Sequence, residues 1–386
     1  MNKTLRIFLS SSGLSTLYLS IYARQSAKGG ETDLFFIDAL SLKPSQRDLM
    51  LQAVAHHSYE QIYDLSRPMG ETVTMVPSRR KQLTRQLKTK VGFKQVYNFL
   101  YKYKLMQEDR MHMRTLHDRA GKYLQQEYER VELHLQPMLH LNRAFQKLFP
   151  KAQVRYFEHG LGDYLDFDVK MKQGDLFHCV FASSLKHYYN QTGRKSDHIF
   201  PVVSTKGFLD PALDLDSLFP QLQEIDVPRD QHIALIAVQA LEQFQVEPKY
   251  WDHFLDLCVE RIDDPEDLLF LVKPHPRQDP DIVARICQYL EGKGLSVLVW
   301  DKPELRSLSM EILFSILTDQ VKYVFSPFSS TVFYLSELYP SSSIQYYYSL
   351  QSVLPFTTNT PELYVKRWKS LHPYLQEVFG KRAVEM

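Results

Sequence analysis

The stretch Lys273-Pro274-His275-Pro276-Arg277 sets an imidazole between two prolines and flanks it with two cations. Proline fixes its own φ and restricts the residue before it, so His275 loses little further freedom in holding one position. Its neighbours Lys273 and Arg277 add donors for an anion. Ser329-Ser330 stands just ahead of the apolar helical pattern Val332–Tyr339. A helix start offers unpaired N–H groups, a hydroxyl and the positive dipole end, all of which favour a phosphate. Glu158-His159-Gly160-Leu161-Gly162 places a carboxylate before a Gly-x-Gly turn. That carboxylate can take a proton from a hydroxyl nucleophile, and Gly160 lets a substrate approach the backbone. Each cluster also has a plain structural alternative: an exposed loop histidine, an ordinary N-cap, a turn-stabilising acid.

What the clusters share is the element in front of them. Leu268–Val272 is five apolar residues without alternation, the pattern of a strand buried on both faces in a parallel sheet. Val154–Phe157 precedes Glu158, and Val321–Phe325 precedes the serines. The carboxyl ends of strands are where ligands sit in open α/β sheets. The remaining pattern alternates in the same way. Strands are expected at Leu5–Leu9, Asp33–Asp38, Phe177–Ala182, His232–Val238, Leu295–Trp300 and Ser343–Tyr348. Helices are expected at Leu14–Ala23, 45–56, 79–105, across 107–148, and at 249–262, 279–292 and 309–318, with a helical tail at the end. Four prolines between Pro201 and Pro228 mark a linker. The expected architecture is α/β, two Rossmann-like β/α domains facing a central cleft. Residues 1–225 form the first, with a basic helical insertion, 226–360 the second, and 361–386 the tail.

Composition narrows the class. Three cysteines, Cys179, Cys258 and Cys287, fit neither a disulfide framework nor a zinc site, which suits a reducing cytoplasm. No apolar run is long enough for a membrane span. Lys3 and Arg6 ahead of apolar residues imitate a signal peptide, but Ser10-Ser11-Ser12-Gly13 splits the run, and the protein is expected to stay where it is made. The net charge of +1 hides an uneven distribution. From Arg79 to Arg155 there are 18 Lys/Arg against 6 Asp/Glu, densest at Arg79, Arg80, Lys81, Arg85, Lys88 and Lys90. Such a field favours a polyanion or an anionic membrane surface, or is a solvated helix face. Asp166-Phe167-Asp168 and Asp214-Leu215-Asp216 have the spacing of carboxylate metal ligands, but their places beyond a turn and in the linker read as structural. No Walker loop or Gly-x-Gly-x-x-Gly fingerprint occurs.

In order and spacing, Glu158-His159-Gly160, His275-Pro276 and Ser329-Ser330 resemble the acidic-acidic-Gly, His-Pro and Ser-Ser motifs of bacterial sialyltransferases, especially the capsular polysialyltransferase group. The resemblance covers the motif order, the two-domain layout and the basic N-terminal half. It implies a GT-B fold and metal-independent, inverting transfer of sialic acid from CMP-sialic acid, with no cofactor beyond that donor. It implies that Glu158 is the general base, that His275 contacts the CMP phosphate and acts as acid for its departure, and that Ser329 and Ser330 bind the same phosphate. Pro276, Lys273 and Gly160 complete the motifs, and Gln239, after the strand 233–238, is placed to touch the nucleotide. His159 stands where the family has its second acid, so the base is Glu158 or His159. A histidine before glycine is also similar to the CDP-glycerol glycerophosphotransferases, although Pro327 stands where they tend to carry Asp. A third reading is a non-catalytic protein that binds an anionic polymer. The expected partners are CMP-sialic acid and a sialylated or other anionic glycan, with no nucleic acid. The basic region would grip that acceptor or hold the protein at the inner-membrane surface.

Overall fold

The computed structural model describes residues 3–38, 44–65, 94–137, 141–158, 174–201, 215–239, 246–327, 329–341, 343–349, 351–356, 377 and 382–386. Among them are two parallel sheets. The first runs β3-β2-β1-β4-β5-β6-β7. Its strands are β1 (Thr4–Ser10), β2 (Glu31–Ile37), β3 (Gln61–Asp64), β4 (Arg130–Leu135), β5 (Gln153–Phe157), β6 (Leu176–Cys179) and β7 (Ile199–Pro201). Helices α1 (Gly13–Ser26), α2 (Pro44–Val54), α3 (Lys94–Leu124), α4 (Asn142–Leu148) and α5 (Ala182–Gln191) connect or cover them. The second sheet runs β10-β9-β8-β11-β12-β13. It holds β8 (His232–Ala237), β9 (Leu268–Lys273), β10 (Ser296–Val299), β11 (Val321–Ser326), β12 (Gln345–Tyr348) and β13 (Ala383–Glu385). Its helices include α6 (Lys249–Val259), α7 (Pro280–Gly292), α8 (Pro303–Ser307), α9 (Met310–Phe314) and α10 (Ser330–Leu338).

Each sheet reverses its winding once, between β1 and β4 and between β8 and β11. These are the switch points at which neighbouring connections diverge and leave a crevice at the carboxyl ends. One face of the first sheet packs Leu5, Ile7, Leu9, Leu133 and Leu135 against Leu116, Ala120 and Leu124 of α3 and Phe145 of α4. The opposite face belongs to a core that is continuous with the second sheet. The first turn of α1 lies so close to α2 that a Cβ on Gly13 would stand 2.8 Å from Leu49 Cδ2, so glycine at this position permits the approach. The two halves touch through Ser45 Oγ and Ser307 Oγ at 2.6 Å, joining α2 to α8. Phe181 also stacks on Tyr334 with centroids 5.5 Å apart.

Two expectations are corrected. The long helix expected across 107–148 is interrupted by β4, which pairs with β1 at the middle of the sheet. Its sequence Arg-Val-Glu-Leu-His-Leu alternates with period two, and Leu133 and Leu135 are buried on one face. The helix-favouring Glu and Leu on both sides mask that alternation. The end of the chain, assigned to a helical tail, contains β13, which pairs in parallel with β12 and extends the second sheet. No helix among the described residues is long and apolar enough to cross a membrane. The three cysteines are free.

Candidate active site

Strand β8 lies between β9 and β11, so the residues that follow these three strands share one edge at the switch point. Gln239 follows β8, Pro274-His275-Pro276 follows β9, and Ser329-Ser330 follows β11. With strands about 4.8 Å apart, the ends of β9 and β11 lie roughly 10 Å apart with the end of β8 between them. The ends are bound together: Val238 N donates to Lys273 O at 3.0 Å, and the buried Ser326 Oγ donates to Ala237 O at 2.9 Å. Gln239 is half-buried, and its Oε1 is a buried acceptor with no hydrogen-bond partner among the described residues.

His275 is half-buried. Its Nδ1 accepts from Arg277 N at 3.1 Å, and its carbonyl accepts from Gln278 N at 2.9 Å, closing a tight turn. A neutral ring whose Nδ1 is an acceptor carries its proton on Nε2. Pro276 is half-buried in this turn and supplies no donor to it. Ser329 is the N-cap of α10, its Oγ accepting from Thr331 N at 3.2 Å, and Ser330 is the first helical residue. The capping role is therefore present, and the first turn of α10 directs its N–H groups to the same edge.

Lys273 departs from the expectation of an anion donor. It is 6% exposed, and its Nζ donates to the carbonyls of Pro274 (3.2 Å) and Arg306 (2.8 Å). Two prolines remove two backbone donors from this loop, and the ammonium makes up for part of that loss. Burial brings its pKa down to about 7 despite Glu311 nearby. Burial likewise raises the carboxyl of Glu311.

In the first sheet Glu158 follows β5 and is 2% exposed, with its backbone N donating to His178 O at 3.1 Å. Ser15 Oγ donates to Glu158 O at 3.4 Å and accepts from Gln136 Nε2 at 3.1 Å. Gln136 Oε1 accepts from Ser11 N at 2.7 Å and Ser11 Oγ at 3.0 Å. One chain of hydrogen bonds thus joins the carboxyl ends of β1, β4 and β5. Gln136, fully buried, has no counterpart among the sequence-derived candidates. It follows β4 directly, so recognising the alternation of β4 would have placed it at a strand end with the others. The phenol of Tyr18 in α1 is raised well above its usual range, by burial first and then by Glu311 and Glu158. Tyr18 therefore lies near an acid from each half of the molecule. His159, Gly160, Asp166–Asp168, Asp214 and Arg79 through Lys90 lie outside the described residues, and no metal-binding cluster of His, Cys, Asp and Glu occurs among the described ones.

No model of a known protein family matches the chain, and no curated protein matches it in sequence. Its likenesses are structural. A Photobacterium 2,6-sialyltransferase in complex with CMP and lactose is 11% identical and superposes with a TM-score of 0.52, over 99% of this chain and 78% of that one. A sialyltransferase from Photobacterium damselae is 10% identical, with a TM-score of 0.49 over 99% of each chain. A UDP-GlcNAc 2-epimerase from Neisseria meningitidis bound to UDP-GlcNAc is 13% identical, with a TM-score of 0.47 over 99% and 95%. At such identities the likeness is one of fold. The first of these superpositions, together with the two switch-point sheets, shows a GT-B two-domain fold.

Proposed function

We propose that this chain is a metal-independent, inverting glycosyltransferase that moves sialic acid, or a closely related acidic sugar, from its CMP-activated form to a glycan acceptor. The observation that carries this reading is the gathering of His275, Gln239 and Ser329 after three neighbouring strands at the switch point of the second sheet. The leaving CMP gains negative charge as its bond to the sugar breaks. His275 and the start of α10 would stabilise that charge more in the transition state than in the ground state. Glu158, at the end of β5, would take the proton of the attacking hydroxyl, with His159 as its rival for that role. The basic stretch from Arg79 to Arg155 would bind an anionic acceptor, or hold the enzyme at the cytoplasmic face of the inner membrane.

The test is release of nucleotide from a panel of CMP- and CDP-activated donors, with and without sialylated and neutral glycans, in buffer containing a chelator. CMP-sialic acid is expected to be consumed with acceptor present. The variant His275→Ala should lose on the order of 10²-fold or more in turnover. CMP should raise the melting temperature more than UMP or AMP, because a ligand of the native state stabilises it by mass action. Turnover of CDP-glycerol would move the chain to glycerophosphate transfer. Binding of an anionic polymer without turnover of any donor would make it a binding protein.

A further inference from the structure

The loop that carries His275 is short of its own donors, because Pro274 and Pro276 have no N–H. The carbonyl of His275 accepts from Gln278 N within the turn, and a further donor to this turn comes from outside it. Arg306 Nη2 donates to Gln278 O at 2.7 Å and reaches His275 O at 3.5 Å, so one guanidinium spans both ends of the turn. Its Nη1 pairs with Asp301 at 3.1 Å, and its own backbone carbonyl receives Lys273 Nζ at 2.8 Å. Lysine and arginine thus hold each other's segments: Lys273, ahead of the turn, grips α8, and Arg306 of α8 grips the turn. Helix α8 is itself fixed from the other side, where Ser307 meets Ser45 of α2. The Arg306 side chain is only 14% exposed, which keeps water from competing for the same carbonyls.

The geometry points to Arg306 as the positioning residue for His275, setting the turn so that Nδ1 stays on Arg277 N and Nε2 carries the proton toward the donor phosphate. The inference deepens the reading of His275 as the group that meets the leaving phosphate, and rests on it for its effect on turnover. Arg306 acts through the backbone of the turn and touches no substrate. Its planar fork holds both carbonyls through Nη2 and a carboxylate through Nη1 in a fixed geometry, whereas a lysine offers its donors from one rotatable ammonium.

The experiment uses the full chain labelled with [¹⁵N]histidine. Two-bond ¹H–¹⁵N spectra report the protonation of each ring nitrogen, and His275 is assigned among the 14 histidines by its absence in His275→Ala. In the wild type, at a pH where the ring is neutral, His275 should show a bare Nδ1 and a protonated Nε2. In Arg306→Met the pattern should average between tautomers, the kcat should fall roughly 10- to 100-fold, and the donor KM should change less than about threefold. Arg306→Lys, which keeps the charge but loses the fixed fork, should fall between. If Arg306→Met does not fold, the same spectra of Arg306→Lys decide. An unchanged ring pattern in the folded variant overturns the positioning role, whatever the turnover. A His275→Ala protein with wild-type turnover would instead refute the leaving-group reading, and the ring pattern would still decide whether Arg306 orients the histidine.

Discussion

Strand β9 runs through Leu268, Leu269, Phe270, Leu271 and Val272, all buried, before its first polar side chain, Lys273, at the carboxyl end. Strand β4, at the middle of the other sheet, carries Arg130, Glu132 and His134 along its length. Around it, on one face of that sheet, Arg6 binds Asp33 through two donors, and His57 Nε2 lies 2.6 Å from the same carboxylate. Glu132 pairs with Arg130 at 2.6 Å and His134 at 3.3 Å. Two buried histidines join an aromatic ladder across the strands: His134 stacks on Phe8 at 4.5 Å and His178 on Phe157 at 4.7 Å. In the four strands β8 to β11 the second sheet keeps its fully buried side-chain polar groups at the carboxyl edge, so changes there should affect chemistry more than folding. The first sheet has built ionisable groups into its body, so changes there should affect folding first, in a pH-dependent way.

The largest effect expected from this contrast is that of Asp33→Ala. It leaves the Arg6 guanidinium, 3% exposed, without its counter-ion, and breaking a buried pair in this way costs about 3–5 kcal/mol. Urea unfolding measures the loss, and the double variant Arg6→Met/Asp33→Leu should recover much of it. A loss below about 1 kcal/mol would mean that the pair behaves as a surface pair and that the contrast is only apparent.

Next comes the acid limb of stability. Burial lowers the imidazole of His178 to about 3, and the contact with His134, with the charges of Arg130 and Arg155, lowers Glu132 to about 2 against the cost of burial. Burial also lowers His134. Both histidines are held neutral in the fold, so below about pH 6.5 the unfolded chain binds protons that the native one refuses. For His178, stability is then lost as pH falls from about 6.5 toward 3, by about 1.4 kcal/mol per pH unit, and His134 adds a loss of the same sign. The Glu132 share is present above about pH 4.5 and lost as pH falls through 4.5 toward 2. His178→Phe keeps the stack on Phe157 and should flatten the limb between pH 6.5 and 4.5 in thermal melts. A limb unaltered by that change would assign acid sensitivity elsewhere. Lys273 acts in another window: with its pKa lowered to about 7, its share of stability is lost as pH falls from about 10.5 to 7 and is constant below.

The smallest effect should come from Ser329→Ala. Losing the bond from Thr331 N removes an N-cap worth about 1 kcal/mol, and the donor KM should rise a few-fold if the start of α10 holds the phosphate. Ser329→Gly should restore most of the cap but not the hydroxyl. A KM unchanged in both would leave the serine as a cap alone.

The strands of the second sheet are legible in the sequence because an unbroken apolar run such as Ile233–Val238 or Leu268–Val272 has few other places to go than a strand covered on both faces. The same local logic located His275, Gln239, Ser329 and Glu158 at strand ends without any knowledge of their neighbours. Strand β4 was harder, because a half-polar alternation among helix-favouring residues reads two ways until a sheet partner is known. Gln136 was hidden with it. Arg306 gave no signal: it is one arginine in a five-residue helix, 31 positions from the histidine whose turn it holds. Periodicity and turn chemistry act over a few residues, so the chain by itself determined the elements and the polar residues at their ends. Which ends became neighbours depended on the strand order, with β8 between β9 and β11 and β1 beside β4. The side of Lys273 that met a carbonyl depended on where α8 came to rest. Those choices are made by the burial of whole faces and the joint satisfaction of buried polar groups, which are properties of the packed chain and of no segment within it.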